Sequence, residues 1–230
     1  MKNVVVLRFP GTNCEFDTEY ALKNLGFNVT VIWHKESTLP ECDLVVIPGG
    51  FSYGDYLRSG SIAKFSPIMK AVKEYANKGG YVLGICNGFQ ILTEAGLLPG
   101  ALKRNNSLHF ISKFQHIKVE NNSNKFLQNC KVGEILNIPV AHADGNYYID
   151  DKGLEELKAN EQILVKYCNE SGEPVVLNGS VEQIAGICNK EKNVFGLMPH
   201  PERAIELVLG STDGIKMLEG FSAWEASNFC

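Results

Sequence analysis

Apolar residues in the first half of the chain occur in short unbroken runs that alternate with amphipathic stretches. Runs with the length of a buried strand lie at 4–7, 29–33, 44–47 and 81–85. Between the last two, apolar side chains at 68, 69, 72 and 75 predict a helix that ends at Gly79-Gly80, and residues 88–95 suit another. Strands that alternate with helices indicate a mostly parallel sheet with helices on both faces.

The segment after the first run predicts a helix with one apolar face. That face would carry Phe16, Tyr20, Leu22 and Leu25. Gly26 follows directly, and it suits the position just past a helix end because glycine tolerates a positive φ. We therefore expect this helix to end at Gly26.

The second half is richer in strand patterns. Its candidate strands are 114–119, 138–141, 163–167, 184–188 and 194–197, with a short helix near 154–157 and a final helix over 214–224. We predict one α/β domain over residues 1–230, of flavodoxin-like architecture, with additional antiparallel strands in the second half.

Composition narrows the class of protein. Of the 230 residues, 44% are hydrophobic and 21% are charged, which is ordinary for a globular protein. The net charge of −4 argues against a nucleic-acid-binding surface. No apolar run is long enough for a membrane span, and the first run is too short for a secretory signal, so we expect a cytoplasmic protein.

The seven cysteines are odd in number and none forms a CxxC pair, so neither a disulfide framework nor a structural metal site is expected. Cys42, Cys168 and Cys188 adjoin apolar runs and are predicted to be small core residues. Cys230 is terminal. Cys14 follows a Gly-Thr-Asn loop and is a weak candidate for chemistry.

The sequence Gly84-Ile85-Cys86-Asn87-Gly88 connects a predicted strand to a predicted helix. This is the nucleophile-elbow pattern with cysteine in place of serine, in which small flanking residues relieve the crowding of a tight turn. The following helix N-terminus favours a thiolate. The alternative is a buried structural cysteine between two glycines, but the strand–turn–helix context favours a nucleophile.

A thiolate nucleophile requires a base and a group that orients the base. His200 is the best candidate because Pro199 and Pro201 fix its backbone, and Glu202 is two residues further on. The alternative is an ordinary surface histidine. His142, which follows a short strand, is the rival base.

Pro48-Gly49-Gly50 follows the third strand and lets backbone N–H groups approach a ligand closely. A plain β-turn is the alternative, but the continuation over 51–58 is unusually aromatic for a turn. Residues 51–57 are also a candidate contact surface for a partner. Phosphate-binding loops and dinucleotide fingerprints are absent from the chain.

Together these segments resemble the class I, or triad, glutamine amidotransferases. The stretches RFPGTN at 8–13, GGFSYGDYLR at 49–58, GICNGFQIL at 84–92 and MPHPER at 198–203 resemble more closely the glutamine amidotransferase subunits of phosphoribosylformylglycinamidine synthase. The similarity runs from Met1 to about Met217.

The resemblance implies a role for each matching position. Cys86 would be the nucleophile, His200 the base and Glu202 its partner, with the backbone N–H groups of Gly50 and Asn87 as an oxyanion hole. Candidates for binding glutamine are Gly49, Gln90, His142 and Asp144.

The resemblance also implies a reaction and partners. The chain would hydrolyse L-glutamine through a thioester on Cys86 and deliver ammonia to a separate synthetase subunit, together with a small bridging subunit. The synthetase would use ATP and Mg²⁺ to convert formylglycinamide ribonucleotide to the amidine, and this chain would bind no cofactor. Low activity of the isolated chain is expected. The alternatives are a peptidase- or deglycase-like hydrolase on a similar fold and a non-catalytic binding module.

Overall fold

The computed structural model describes residues 2–222. The strands are Asn3–Arg8 (β1), Asn28–Trp33 (β2), Leu44–Ile47 (β3), Tyr81–Ile85 (β4), Ala101–Lys103 (β5), Ile111–Val119 (β6), Ile135–His142 (β7), Asn146–Tyr148 (β8), Ile163–Tyr167 (β9), Ile184–Cys188 (β10) and Val194–Leu197 (β11). The α-helices are Glu15–Asn24 (α1), Pro67–Asn77 (α2), Asn87–Glu94 (α3), Asp151–Ala159 (α4) and Asp213–Leu218 (α5).

Nine strands form one sheet in the order β2-β1-β3-β4-β11-β10-β9-β6-β7. Neighbouring strands from β2 to β11 are parallel, and neighbouring strands from β11 to β7 are antiparallel. The predicted α/β class, with antiparallel strands in the second half, is confirmed. The short strands β5 and β8 pair with each other in a second sheet, which the sequence did not predict.

The centre of the large sheet is buried on both faces. Every residue of β3 and β11 is buried, and so are Val4–Leu7 of β1. Helix α2 begins with Pro67, a residue favoured in the first helical turn, and it buries Ile68, Met69 and Val72 as predicted. The strands therefore form a rigid layer whose loops can hold side chains in fixed positions.

The predicted apolar face of α1 is only half right, since Leu22 is buried and Leu25 packs against the core but the two aromatic residues do not. Phe16 and Tyr20 are 60% and 52% exposed, whereas Glu15 is buried. Oε1 of Glu15 forms an ion pair with Nε of Arg8 on β1 over 2.8 Å. The Arg8 guanidinium also lies 5.2 Å from the centre of the Phe16 ring. The ion pair holds Glu15 on the buried face of α1, which leaves Phe16, the next residue, on the exposed face.

The C-terminal helix is shorter than predicted. Helix α5 ends at Leu218, and the chain continues in a 3-10 turn over Glu219–Phe221. The rest of the predicted helix, to Trp224, and Cys230 lie outside the described residues. In the part of the chain from 2 to 222, no helix is long and apolar enough to cross a membrane.

Candidate active site

Cys86 occupies a strained turn between β4 and α3. Its φ of 50° and ψ of −104° lie in a region that non-glycine residues avoid, and such a conformation costs on the order of 1–3 kcal/mol. A β-carbon on Gly84 would lie 2.7 Å from the backbone of Gly88, and one on Gly88 would lie 1.9 Å from the carbonyl oxygen of Ile47. Only glycine fits at both flanking positions, so the surrounding backbone holds the turn in place.

His200 and Glu202 form a buried pair beyond the end of β11. The Nδ1–H of His200 donates to Oε1 of Glu202 over 2.6 Å, and the two residues are 1% and 2% exposed. Glu202 lies in the 3-10 turn Pro201–Arg203, and the backbone N–H of His200 donates to Pro139. The turn and this anchor fix the orientation of the imidazole.

The electrostatics of the pair favour a protonated ring. Burial alone lowers the pKa of His200, but the negative charges of Glu202 and Cys86 outweigh burial and raise that pKa well above its ordinary value. An imidazolium beside a thiolate is the arrangement that a cysteine nucleophile requires.

Sheet topology brings the nucleophile and the histidine together. β4 and β11 are parallel neighbours, with Ile85 opposite Leu197, so the residues that follow both strands lie at the same edge. A β-carbon on Gly49 would lie 2.7 Å from Cε1 of His200 and 3.4 Å from Cβ of Cys86. Both side chains therefore pack against Gly49, in the loop after β3.

The predicted oxyanion donors lie in this arrangement. Among the described residues, neither the N–H of Gly50 nor that of Asn87, the first residue of α3, donates to a backbone oxygen outside the regular helices and strands. Gly50 has a φ of 135°, and a β-carbon there would lie 2.7 Å from the backbone nitrogen of Asn13. The side chain of Asn87 accepts from the N–H of Ser52, which ties the two loops together.

The other predicted residues line the same edge. Nε2 of Gln90 donates to the backbone oxygen of Asp144 over 2.8 Å, and the carboxylate of Asp144 accepts from Ser59 over 2.7 Å. Nδ1 of His142 lies 3.2 Å from the amide oxygen of Asn105. Burial chiefly, together with the charge of His200, lowers the pKa of His142 to about 4. His142 is therefore neutral near pH 7 and has no carboxylate partner comparable to Glu202.

Cys14 lies beside His200 and Glu202, a proximity that its loop sequence did not indicate. Its Sγ is buried, lies 3.1 Å from Nη2 of Arg203, and shares a group of donor atoms within 4.8 Å of one another with His200 and Glu202. These three residues could contact a metal ion, but two of them are already joined by the 2.6 Å hydrogen bond. The position of Cys14 just before α1, beyond the end of β1, was the available clue.

Comparison with known proteins gives consistent similarities. The family model for CobB/CobQ-like glutamine amidotransferase domains matches residues 1–225. Phosphoribosylformylglycinamidine synthase subunit PurQ of Sulfurimonas denitrificans is 67% identical over 219 residues, which cover 95% of this chain and 98% of that protein. The protein of the same name from Campylobacter jejuni is 57% identical and covers 98% of both chains.

A solved structure is also similar. A chain in the structure of PurLQS from Thermotoga maritima has a TM-score of 0.87 and 41% sequence identity. The match covers 96% of this chain and 98% of that chain.

Proposed function

The chain belongs to the family of CobB/CobQ-like glutamine amidotransferase domains, and from this membership we propose how its residues hydrolyse glutamine. It is a glutaminase subunit for the synthesis of formylglycinamidine ribonucleotide in purine biosynthesis. A peptidase- or deglycase-like activity is not favoured. The roles of the residues rest on one observation: the strained Cys86 turn and the buried His200–Glu202 pair meet at Gly49.

In the proposed first step, the Cys86 thiolate attacks the side-chain amide carbon of glutamine. The amide oxygen becomes an oxyanion and accepts hydrogen bonds from the backbone N–H groups of Gly50 and Asn87. His200 gives its proton to the leaving nitrogen, the C–N bond breaks, and ammonia departs. A glutamyl thioester remains on Cys86.

In the second step, His200 removes a proton from water, and the resulting hydroxide attacks the thioester. The oxyanion again forms at the same two donors, and the C–S bond breaks to release glutamate and the Cys86 thiolate. Glu202 accepts the Nδ1–H of His200 in both steps, which fixes the tautomer and stabilises the imidazolium. We assign the lining of the glutamine site to Gly49, Gln90, His142 and Asp144.

We also propose that ammonia passes to a synthetase subunit, with a small bridging subunit in the same complex. The similarity to a chain of PurLQS supports these partners. In this proposal the synthetase uses ATP and Mg²⁺, this chain binds no cofactor, and the complex is cytoplasmic. Activity of the isolated chain is low because uncoupled hydrolysis would waste glutamine.

The stretch 51–57 is our candidate for the synthetase contact. Phe51, Tyr56 and Leu57 are exposed on the loop that follows the Gly49-Gly50 turn, and the Phe51 ring lies 6.4 Å from that of Phe110. Large apolar side chains beside the mouth of a site that releases ammonia are suited to burial by the acceptor subunit. Replacement of Leu57 by Asp should weaken complex formation, measured by analytical ultracentrifugation, without reducing reaction of Cys86 with iodoacetamide.

Covalent trapping tests the proposed chemistry. The chain, alone and with its synthetase partners, is incubated with 6-diazo-5-oxo-norleucine, and the modified peptide is identified by mass spectrometry. We expect one adduct, on Cys86, that excess glutamine blocks. Cys86→Ser should abolish the adduct, and the matched control Cys42→Ser should retain it.

Comparison of the adduct rate with and without the synthetase partners tests whether activity depends on the complex. An adduct that forms much faster in the complex supports partner-dependent activity, and equal rates refute that part alone. A folded chain that gives no adduct on Cys86 under either condition contradicts the proposed nucleophile.

A further inference from the structure

Cys14 lies directly before α1, beside the catalytic pair, and the proposed mechanism does not use it. It is 3% exposed, and its backbone N–H donates to the carbonyl oxygen of Gly49 over 3.3 Å. Its Sγ, a ring nitrogen of His200 and a carboxylate oxygen of Glu202 lie within 4.8 Å of one another. The thiol and the imidazole therefore pack together against the backbone of Gly49.

The Cys14 thiol has both a donor and an acceptor among the described residues. Its Sγ donates to Oδ1 of Asn13 over 3.2 Å and accepts from Nη2 of Arg203 over 3.1 Å. Burial chiefly raises the pKa of Cys14, although a hydrogen bond with His200 lowers it, so the thiol is protonated near pH 7. A neutral thiol can make both bonds at once, because it donates and accepts.

The guanidinium of Arg203 is held by two residues at the start of α1. Besides the bond to Cys14, its Nε donates to Oδ2 of Asp17 over 2.9 Å, and its Nη2 lies 2.9 Å from the same oxygen. Arg203 directly follows Glu202 in the chain, and the two side chains interact electrostatically. Both residues, with Asp17, line one cavity of about 630 Å³. A cation thus lies close to the catalytic carboxylate and is bound to other groups.

Glu202 has one carboxylate oxygen that Arg203 could take. Oε1 accepts from Nδ1 of His200, whereas Oε2 is buried and has no hydrogen-bond partner among residues 2–222. Pairing with both nitrogens of a guanidinium is among the strongest interactions of a carboxylate. An Arg203 side chain released from its present partners would therefore compete with His200 for Glu202.

Such competition would change the charge state of the base. Burial lowers the pKa of His200, but the charges of Glu202 and Cys86 outweigh burial. A hydrogen bond with Cys14 acts in the same direction as those charges. His142 on β7 also interacts with the ring, and it is neutral near pH 7. Glu202 is the carboxylate in this set, so its neutralisation by another cation would favour the uncharged imidazole.

We propose that Cys14 is a positioning residue that acts through Arg203. With Asp17 it holds the guanidinium away from Glu202, so that this carboxylate serves His200 alone. The inference rests on the proposed function, because it takes His200 as the base. Cys14 contacts neither glutamine nor the reacting atoms, and it acts by deciding which cation pairs with the catalytic carboxylate.

The test measures the pKa of His200 by NMR titration of the full chain with isotope-labelled histidine, and His200→Gln assigns the resonance. Cys14→Ala removes an acceptor of Arg203 and should lower this pKa by about one pH unit or more, which is the effect of a nearby charge. Cys14→Ser keeps an acceptor at the same place and should retain the parental pKa.

Two further variants separate the role of Arg203 from simple packing. Arg203→Met added to Cys14→Ala removes the competing cation and should restore the parental pKa of His200. Asp17→Asn weakens the other contact of Arg203 from a half-exposed position, so it should shift this pKa downwards even if Cys14→Ala does not fold. Cys130→Ala is the matched control, because Cys130 is 2% exposed and lies before β7; it should lose stability without a change in this pKa.

Kinetics of the reconstituted complex give a second readout. Cys14→Ala should lower kcat for glutamine by about tenfold or more and leave KM within about threefold, since proton transfer is impaired and binding is not. Because the imidazolium supplies the proton, activity should also be lost at lower pH on the alkaline side of the profile.

Two results would overturn the inference. One is an unchanged pKa of His200 in a folded Cys14→Ala or Asp17→Asn variant. The other is a lowered pKa that Arg203→Met does not restore, which leaves Cys14 a packing role alone. The NMR titration needs no substrate, so failure of the diazo analogue to modify Cys86 would refute the proposed function without deciding the contact of Cys14 with Arg203.

Discussion

Replacement of Gly49 by alanine tests how closely the catalytic side chains are packed. The new methyl carbon would lie 2.7 Å from Cε1 of His200 and 3.1 Å from Sγ of Cys14. Carbon atoms in contact normally lie about 3.5–4.0 Å apart, so the ring must retreat by roughly 1 Å. The ring is 1% exposed and Glu202 holds its Nδ1, which leaves it little room to retreat without losing alignment with Cys86.

Two separate consequences follow from Gly49→Ala. Overpacking of this kind lowers the free energy of unfolding by about 1–3 kcal/mol. A displacement of about 1 Å at a reacting group lowers kcat/KM by about 100-fold. We expect the loss of activity to be much larger than the loss of stability explains.

The assay measures glutamate release by the reconstituted complex, with thermal denaturation of the same preparations. Gly133→Ala is the matched control, because Gly133 has a φ of 81° and nothing lies within 4 Å of the position that a β-carbon would take. It should lose stability and keep its activity. If Gly49→Ala retains kcat/KM within about threefold of the parent, Gly49 does not position His200.

Two further predictions concern charge and protonation. Glu202→Gln removes the carboxylate that raises the pKa of His200, so this pKa should fall and kcat/KM should drop by about 10³- to 10⁴-fold. A pH–rate profile with unchanged shape and height would contradict this prediction. His142 is already neutral near pH 7, so His142→Gln should lower kcat less than about tenfold, whereas His200→Gln should abolish single-turnover thioester formation in a rapid-quench experiment.

Much of the sheet was predictable because its central strands are buried on both faces and therefore appear as unbroken apolar runs. The run 44–47 is one such strand, and it matches the structure to the residue. The spacing of apolar residues could not predict which side of α1 is buried. That side depends on the ion pair between Glu15 and Arg8, which lies on β1. The strands β5 and β8 have three residues each, which is too short for a recognisable pattern.

The candidate site also contains residues that local patterns indicate and contacts that only the folded chain produces. Cys86, His200 and Glu202 were identifiable because each belongs to a local pattern of glycines or prolines, and their catalytic roles stay predictions. The contact between Cys14 and Arg203 depends on two segments that only the folded sheet brings together, so no local pattern indicated it. The single-domain organisation over 1–230 also stays a prediction.

The position of β11 determines when, during synthesis and folding, the candidate site is completed. β11 is the last strand among the described residues, yet it lies in the middle of the sheet between β4 and β10. During synthesis, Cys86 emerges well before His200, and contacts so distant in sequence form late in folding. The elbow therefore lacks its proposed base, His200, until β11 inserts and completes the sheet. An incompletely synthesised chain should consequently be unable to consume glutamine, so the activity is withheld until the whole sheet has formed.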